Sequence, residues 1–173
     1  TIIEGCLDIG STGISDDTLV NAHSNSYDFN FSGKQLTGFC LERNDASPQL
    51  NDSYEINATD RQGLSTASRA KLARLFNALT DPEISFSIAS VSNGGREQLR
   101  LDDLLGAMVW YYTFYYENIS NIDSLLDNNT NLTTDERKVL KNLARKIANR
   151  VDGSNGEYHY TEQAVYWLWD KTT

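Results

Sequence analysis

Met108-Val109-Trp110-Tyr111-Tyr112-Thr113-Phe114-Tyr115-Tyr116 is apolar or aromatic at every position but Thr113. Such a run has no polar face to turn to water at either the helical or the strand period, so the fold must enclose it. Asp102 and Asp103 stand just before it. Carboxylates there suit the positive end of a helix dipole. The segment 101–117 therefore reads as a central buried helix around which the remaining elements must pack.

Two further helices are expected as its partners. In 64–79, Leu72, Leu75, Phe76 and Leu79 recur at helical spacing, Ser65 is placed as an N-cap, and Asp81-Pro82 marks the stop. In 134–151, Val139, Leu140, Leu143, Ile147 and Val151 form an apolar stripe. Lys138, Lys141, Arg145, Lys146 and Arg150 occupy much of the remaining surface, Thr133 or Thr134 can cap the start, and Asp152-Gly153-Ser154-Asn155-Gly156 breaks the chain.

The flanks read differently. Tyr27-Asp28-Phe29-Asn30-Phe31 alternates as a half-buried strand does, Ser32-Gly33-Lys34 is a turn, and 34–41 is its partner strand. A shorter strand is expected at 54–58. The tail, 157–169, alternates at its start, but from Thr161 it fits a short helix equally well. The expected fold class is α+β, a β-rich sandwich or barrel-like body with an inserted helical subdomain. One domain is expected over 1–173, with approximately 1–60 and 153–173 as the body and approximately 61–152 as the helical insertion.

At 173 residues the chain suits a single domain with its own core. A net charge of −9 disfavours nucleic acid and anionic lipid as partners and mildly favours cationic ones such as exposed lysines. No apolar stretch approaches a membrane span. The chain begins at Thr1 rather than Met, as a processed or excised domain would. N-x-S/T triplets begin at Asn30, Asn51, Asn57, Asn118, Asn128 and Asn131, which the Asn-rich composition accounts for by chance. Asp127-Asn128-Asn129-Thr130-Asn131-Leu132 opens like a calcium loop. It has Leu132 where that loop needs Gly and Lys138 where it needs Glu, so it reads as a polar turn.

The chain has two cysteines, Cys6 and Cys40. Cys40 lies in Leu36-Thr37-Gly38-Phe39-Cys40-Leu41, with Pro48 downstream. Near the other end stands Thr161-Glu162-Gln163-Ala164-Val165-Tyr166-Trp167. Taken alone, these residues leave four readings open: Cys40 as a buried small hydrophobe, a Cys6–Cys40 disulfide, a Cys-His hydrolase using His23 or His159, or a Cys–Gln crosslink.

An aromatic before Cys40, Leu41 after it, Pro48, and a late Gln163 followed by Val165 and Trp167 together resemble the thioester domain of Gram-positive surface adhesins. The resemblance covers most of the chain in layout, although its diagnostic residues are few. Many members have Thr-Gln where this chain has Glu162-Gln163, with Thr161 one place earlier. What the resemblance implies is an internal thioester between the Cys40 sulfur and the Gln163 acyl carbon. It also implies covalent capture of a lysine amine on a host cell-surface or matrix protein through Gln163. The parent would be a cell-wall-anchored protein at the bacterial surface, and the domain a monomer with no cofactor and no metal. The capture would be single-turnover binding rather than catalysis.

The chemistry is physically reasonable for these residues. A thiol leaves far more readily than an amine, so a thioester is activated toward amines. Forming one from an amide requires the two groups to be held in contact, and effective molarities of about 10⁵ M or more are attainable. Keeping it requires exclusion of water. Tyr158, Tyr160, Tyr166, Trp167 and Trp169 near Gln163, with Trp110 and the central-helix tyrosines, are candidate shields; core packing is the alternative for each. His159, four residues before Gln163, is a candidate base for the incoming amine. A non-covalent adhesin module, or a cysteine-dependent hydrolase or acyltransferase, is the alternative function.

Overall fold

The structure is a computed structural model that describes the backbone of residues 2–4, 17–22, 27–31, 34–39, 53–57, 65–92, 95–113, 120–153, 158 and 165–170, and the side chains of 38–39, 65–92, 95–113, 120–153 and 158.

Helix α1 spans Thr66–Leu75. Ser65 caps it as its residue type predicts, its hydroxyl accepting from the Ser68 amide at 3.1 Å. The chain tightens into a 3-10 segment, Phe76–Thr80. Asp81 then does two things at once. It ends the 3-10 segment and starts α2, Pro82–Ala89: its carboxylate accepts from the Glu83 amide at 3.0 Å, and Pro82 occupies the first helical turn. The stop foreseen at Asp81-Pro82 is thus also a start, and α2 was not expected. A second short helix, α4 at Ser120–Asp127, was not expected either. Both have eight residues, too few for a periodic pattern to stand out.

The central helix, α3, spans Glu97–Tyr111 and is buried along ten of its residues. Its start is earlier than expected. Glu97 is the acid of the first turn, whereas Asp102 and Asp103 lie buried inside the helix. The start signal is Gly95, whose φ of 79° ends the preceding turn in a conformation that costs glycine little. Helix α5, Thr134–Asp152, is close to expectation. Thr133 and Glu136 form a reciprocal capping box: the Thr133 hydroxyl accepts from the Glu136 amide at 3.1 Å, and the Glu136 carboxylate accepts from the Thr133 amide at 2.9 Å.

Six short strands are described by their backbones: β1 Ile2–Glu4, β2 Asp17–Ala22, β3 Tyr27–Phe31, β4 Lys34–Phe39, β5 Ser53–Asn57 and β6 Val165–Asp170. They pair antiparallel in the order β1-β4-β3-β2-β5-β6, and β6 returns to β1. The β3–β4 hairpin closes at Phe31 opposite Lys34. The tail is a strand over Val165–Asp170, where a helix from Thr161 was the other possibility; Val165, Tyr166 and Trp167 are strand formers.

The expected α+β class, a β-rich sandwich or barrel-like body with helices inserted into it, is corrected. Among residues whose side chains are described, 77% are helical, and the only strand residues are Gly38 and Phe39. The side-chain core is helical too. Leu72, Leu75, Ile84, Ile88, Leu104 and Leu105 are fully buried, and α5 adds Leu140, Leu143, Ile147 and Val151. The physical reason is amphipathicity. Among the described residues, five helices bury apolar faces against one another, and α3 is buried along most of its length. Among the described residues, the helices form the packed body.

Candidate functional site

Cys40, Gln163 and His159 lie outside the described residues, as do Cys6 and His23. Their nearest described neighbours are nevertheless informative. Phe39, directly before Cys40, is the end of β4 and is fully buried. Its ring stacks on Phe76, the first residue of the 3-10 segment, with centroids 5.7 Å apart and planes 24° from parallel. Tyr158, five residues before Gln163, is 6% exposed. Its hydroxyl donates to the Asp81 carboxylate at 2.6 Å. Among the described residues, Phe39 and Tyr158 are the only members of the core that lie outside residues 72–151.

Both anchors fall on one short stretch, Phe76 to Asp81. Asp81 is the more heavily used. One carboxylate caps α2, accepts from Tyr158, and accepts from Arg150 of α5. Arg150 also bonds Glu83 and lies 5.9 Å from the centre of the Tyr158 ring. Lys146 reaches Glu83 at 2.5 Å. Those hydrogen bonds from Lys146 and Arg150 hold the Glu83 carboxyl at about 2. Burial pushes the Tyr158 hydroxyl above its ordinary range, and its hydrogen bond to Asp81 adds to that.

The strand register fixes where the two segments enter the site. Ile2 of β1 pairs with Phe39 on one side and Trp167 on the other, while Glu4 pairs with Val165. Phe39 and Val165 are therefore offset by two residues along β1 and lie on its opposite sides, a separation of about 12 Å from ordinary strand spacings. β4 ends at Phe39 beside Ile2, whereas β6 begins at Val165 beside Glu4, the other end of β1, so the register does not by itself bring residues 40 and 163 together. In sequence, Cys6 stands two residues after Glu4 and Gln163 two residues before Val165.

A second polar cluster lies deeper. Glu136 accepts from the Ser92 hydroxyl at 2.9 Å and from Arg96 at 3.1 Å. The Arg100 Nε is 3.0 Å from Glu136, and its Nη1 donates to Asp103 at 2.6 Å. Burial raises the Glu136 pKa, but bonds from Thr133 and Ser92 and the charge of Arg100 outweigh it and hold the carboxyl low. Burial wins at Asp103, whose pKa is raised against the pull of Arg100. These groups are turned on one another and on the α5 cap. The cluster locks helices together and offers no free donor set to a ligand.

Among the described residues, no group of His, Cys, Asp and Glu could hold a metal ion. The calcium-like loop is a turn: the Asn129 side chain accepts from the Asn131 amide at 3.0 Å, and Leu132 is buried. Asp127 pairs with Lys141 at 2.5 Å. Of the aromatics considered as shields, Tyr112 is buried in the helical core, its ring 4.8 Å from that of Tyr111 and 5.8 Å from the Lys71 ammonium. Trp110 is half-buried. No helix among the described residues is long and apolar enough to cross a membrane.

Sequence reasoning passed over Asp81, Arg150 and Phe76 as site residues. Asp81 read as a helix stop, Arg150 as part of a solvated face, and Phe76 as core. The Asp-Pro pair was the available signal, since Asp before Pro is a strong N-cap as well as a stop. No family model, no curated protein and no solved structure matches the chain.

Proposed function

We propose that this chain is a thioester domain of a bacterial surface adhesin that attaches covalently to lysine amines of host proteins. The observation that supports the reading most is the pairing of two segments, Phe39-Cys40-Leu41 with Pro48 and Gln163-Ala164-Val165-Tyr166-Trp167. Their strands, β4 and β6, flank the same strand β1. In the first step the Cys40 sulfur attacks the Gln163 side-chain carbonyl carbon. The C–N bond breaks, ammonia leaves with the thiol proton, and a thioester remains. In the second step a neutral lysine amine attacks that carbon. The C–S bond breaks, the amine proton passes to sulfur, and Gln163 stays joined to the target through an isopeptide bond. His159 is the candidate base for that proton. A net charge of −9 suits a cationic target surface.

The Glu4–Val165 pair favours a second version of the same chemistry, with Cys6 as the thiol, because in sequence Cys6 stands two residues after Glu4 and Gln163 two before Val165. Intact mass separates the versions. The native protein is expected to be lighter than its sequence mass by one ammonia. Cys40→Ala and Gln163→Ala are expected to abolish that deficit, and Cys6→Ala to leave it. A deficit lost in Cys6→Ala and kept in Cys40→Ala assigns the thiol to Cys6. A native mass equal to the sequence mass sinks the thioester, and a deficit of two hydrogens identifies a Cys6–Cys40 disulfide instead. Methylamine is expected to add once, at Gln163, and to release one thiol. Repeated turnover of a small ester or amide would favour the hydrolase.

A further inference from the structure

We infer that the buried cluster around Arg100 is an acid-responsive lock, in which Asp103 takes up a proton before Glu136 does and that proton tightens the helical body. The lock lies wholly within the helices and the turns between them, and it is independent of the thioester reading.

The cluster buries more negative charge than positive. Arg100, Asp103 and Glu136 are 6%, 3% and 1% exposed. Two carboxylates share one guanidinium: its Nη1 donates to Asp103 at 2.6 Å, and its Nε lies 3.0 Å from Glu136. Arg96, in the turn before α3, brings a second positive charge, but it is half-buried and donates to Glu136. A buried acid next to a like charge binds a proton more readily than it carries an unmatched charge.

Donor placement decides which carboxylate takes the proton. Glu136 accepts from the Thr133 amide at 2.9 Å, from the Ser92 hydroxyl at 2.9 Å and from Arg96 at 3.1 Å, and it also faces Arg100. Asp103 is supported by Arg100 on its own helix and by the Asn129 side chain of the α4–α5 turn. Across from it, on α5, stands the Glu136 carboxylate. Its neighbour on α3, Asp102, is buried as well and accepts from Gln98 at 3.0 Å. Arg137 of α5 is directed to the Asn129 carbonyl at 2.9 Å. Burial accordingly pushes the Asp103 carboxyl above its ordinary range, whereas Glu136 is held below its own. Protonated Asp103 still offers Arg100 a carbonyl oxygen, so the link survives while the surplus charge disappears. A carboxyl whose folded pKa is raised costs the fold stability at neutral pH. That cost fades as pH falls through the folded value and is gone below the unfolded one, ordinarily 3.8. The surface carboxylates Glu83 and Asp123 are held low and have the opposite sign.

The experiment titrates the aspartate side-chain carboxyl carbons of the full chain by NMR and records melting temperatures of the wild type, Asp103→Asn and Asp123→Asn from pH 7 to pH 4. Asn at 103 keeps the shape of the protonated acid. Asp123→Asn removes a surface pair with Arg145 and serves as the control of opposite sign. The Asp103 carbon is expected to titrate above 3.8. Asp103→Asn is expected to melt about 2–4 °C above the wild type at pH 7, with the gap closing toward pH 4, while Asp123→Asn melts below the wild type at pH 7. An Asp103 carbon that titrates at or below 3.8 would overturn the lock. So would an Asp103→Asn variant that melts below the wild type at pH 7, since Asp103 would then stabilise the fold through its charge. The wild-type titration, assigned through the backbone of residue 103, decides the matter even where Asp103→Asn does not fold.

Discussion

Two polar clusters hold the helical body together, and they do different work. The cluster of Ser92, Arg96, Arg100, Asp103 and Glu136 centres on a buried carboxylate and ties α3 and the start of α5 to the turns beside them. The cluster of Asp81, Glu83, Lys146, Arg150 and Tyr158 joins α2 to α5 and then reaches one step further, to a residue outside the helices. Glu136 is 1% exposed and Glu83 is 47% exposed at the side chain. The inner cluster is a matter of stability alone. The outer one couples the helical body to the segment that leads to Gln163. A buried pair is costly to break, because the surviving charge is left without water. An exposed pair is cheap to break, because water replaces the partner.

The largest effect is therefore expected at Glu136. Replacing it with Ala leaves Arg100 with Asp103 alone in the interior and removes the side-chain half of the α5 capping box, at a cost of about 3–5 kcal/mol. Urea denaturation followed by helical circular dichroism measures this directly. A loss below about 1 kcal/mol would mean that Arg100 finds water or another partner, and the contrast between the clusters would fail.

A smaller effect is expected at Tyr158. Tyr158→Phe removes one hydrogen bond to a carboxylate and leaves the ring in place, for about 1–2 kcal/mol. The contrast is sharpened by where the loss appears. Amide hydrogen exchange is expected to rise near residue 158 and to stay unchanged in the middle of α3, because the bond ties a segment to the core rather than the core to itself. Uniformly faster exchange across α3 would place Tyr158 with the inner cluster.

The sequence announced the helices better than it announced their importance. Ser65, Thr133 and the α5 stripe were legible because capping and periodicity are local. The start of α3 was misread because Asp102 and Asp103 look like first-turn acids, whereas inside the helix they are partnered one turn back by Gln98 and Arg100. Fold class was misjudged for a related reason. Alternation marks strands clearly even when they are short, whereas the amount of core each element contributes depends on packing that the pattern does not contain. The candidate site was legible as a motif around Cys40 and Gln163. The anchors were not, because Asp81 and Tyr158 are 77 residues apart and neither belongs to a pattern.

The smallest effect, and the one with the clearest sign, is the pH dependence of the outer cluster. Glu83 has an ordinary pKa of 4.5 and is held at about 2 in the folded chain, by Lys146 first and Arg150 second. A group whose folded pKa is depressed stabilises the fold above its unfolded value and stops doing so as pH falls through the folded value. The contribution of Glu83 is thus fully present above about pH 4.5 and disappears by about pH 2. Glu83→Gln mimics the protonated state, so its melting temperature is expected to lie slightly below that of the wild type at pH 6. The gap should narrow through pH 4 and 3 and vanish near pH 2. Asp123 is also held low, by its bonds from Arg145, but it is present in both proteins, so the difference isolates Glu83. Water already solvates this surface, so the gap at pH 6 is expected to be the least of the three effects. A gap that stays constant down to pH 2 would show that Lys146 and Arg150 do not hold Glu83 ionised. Arg150 would then be left to Asp81 and Tyr158, making the outer cluster a tether for the C-terminal segment more than a strap between α2 and α5.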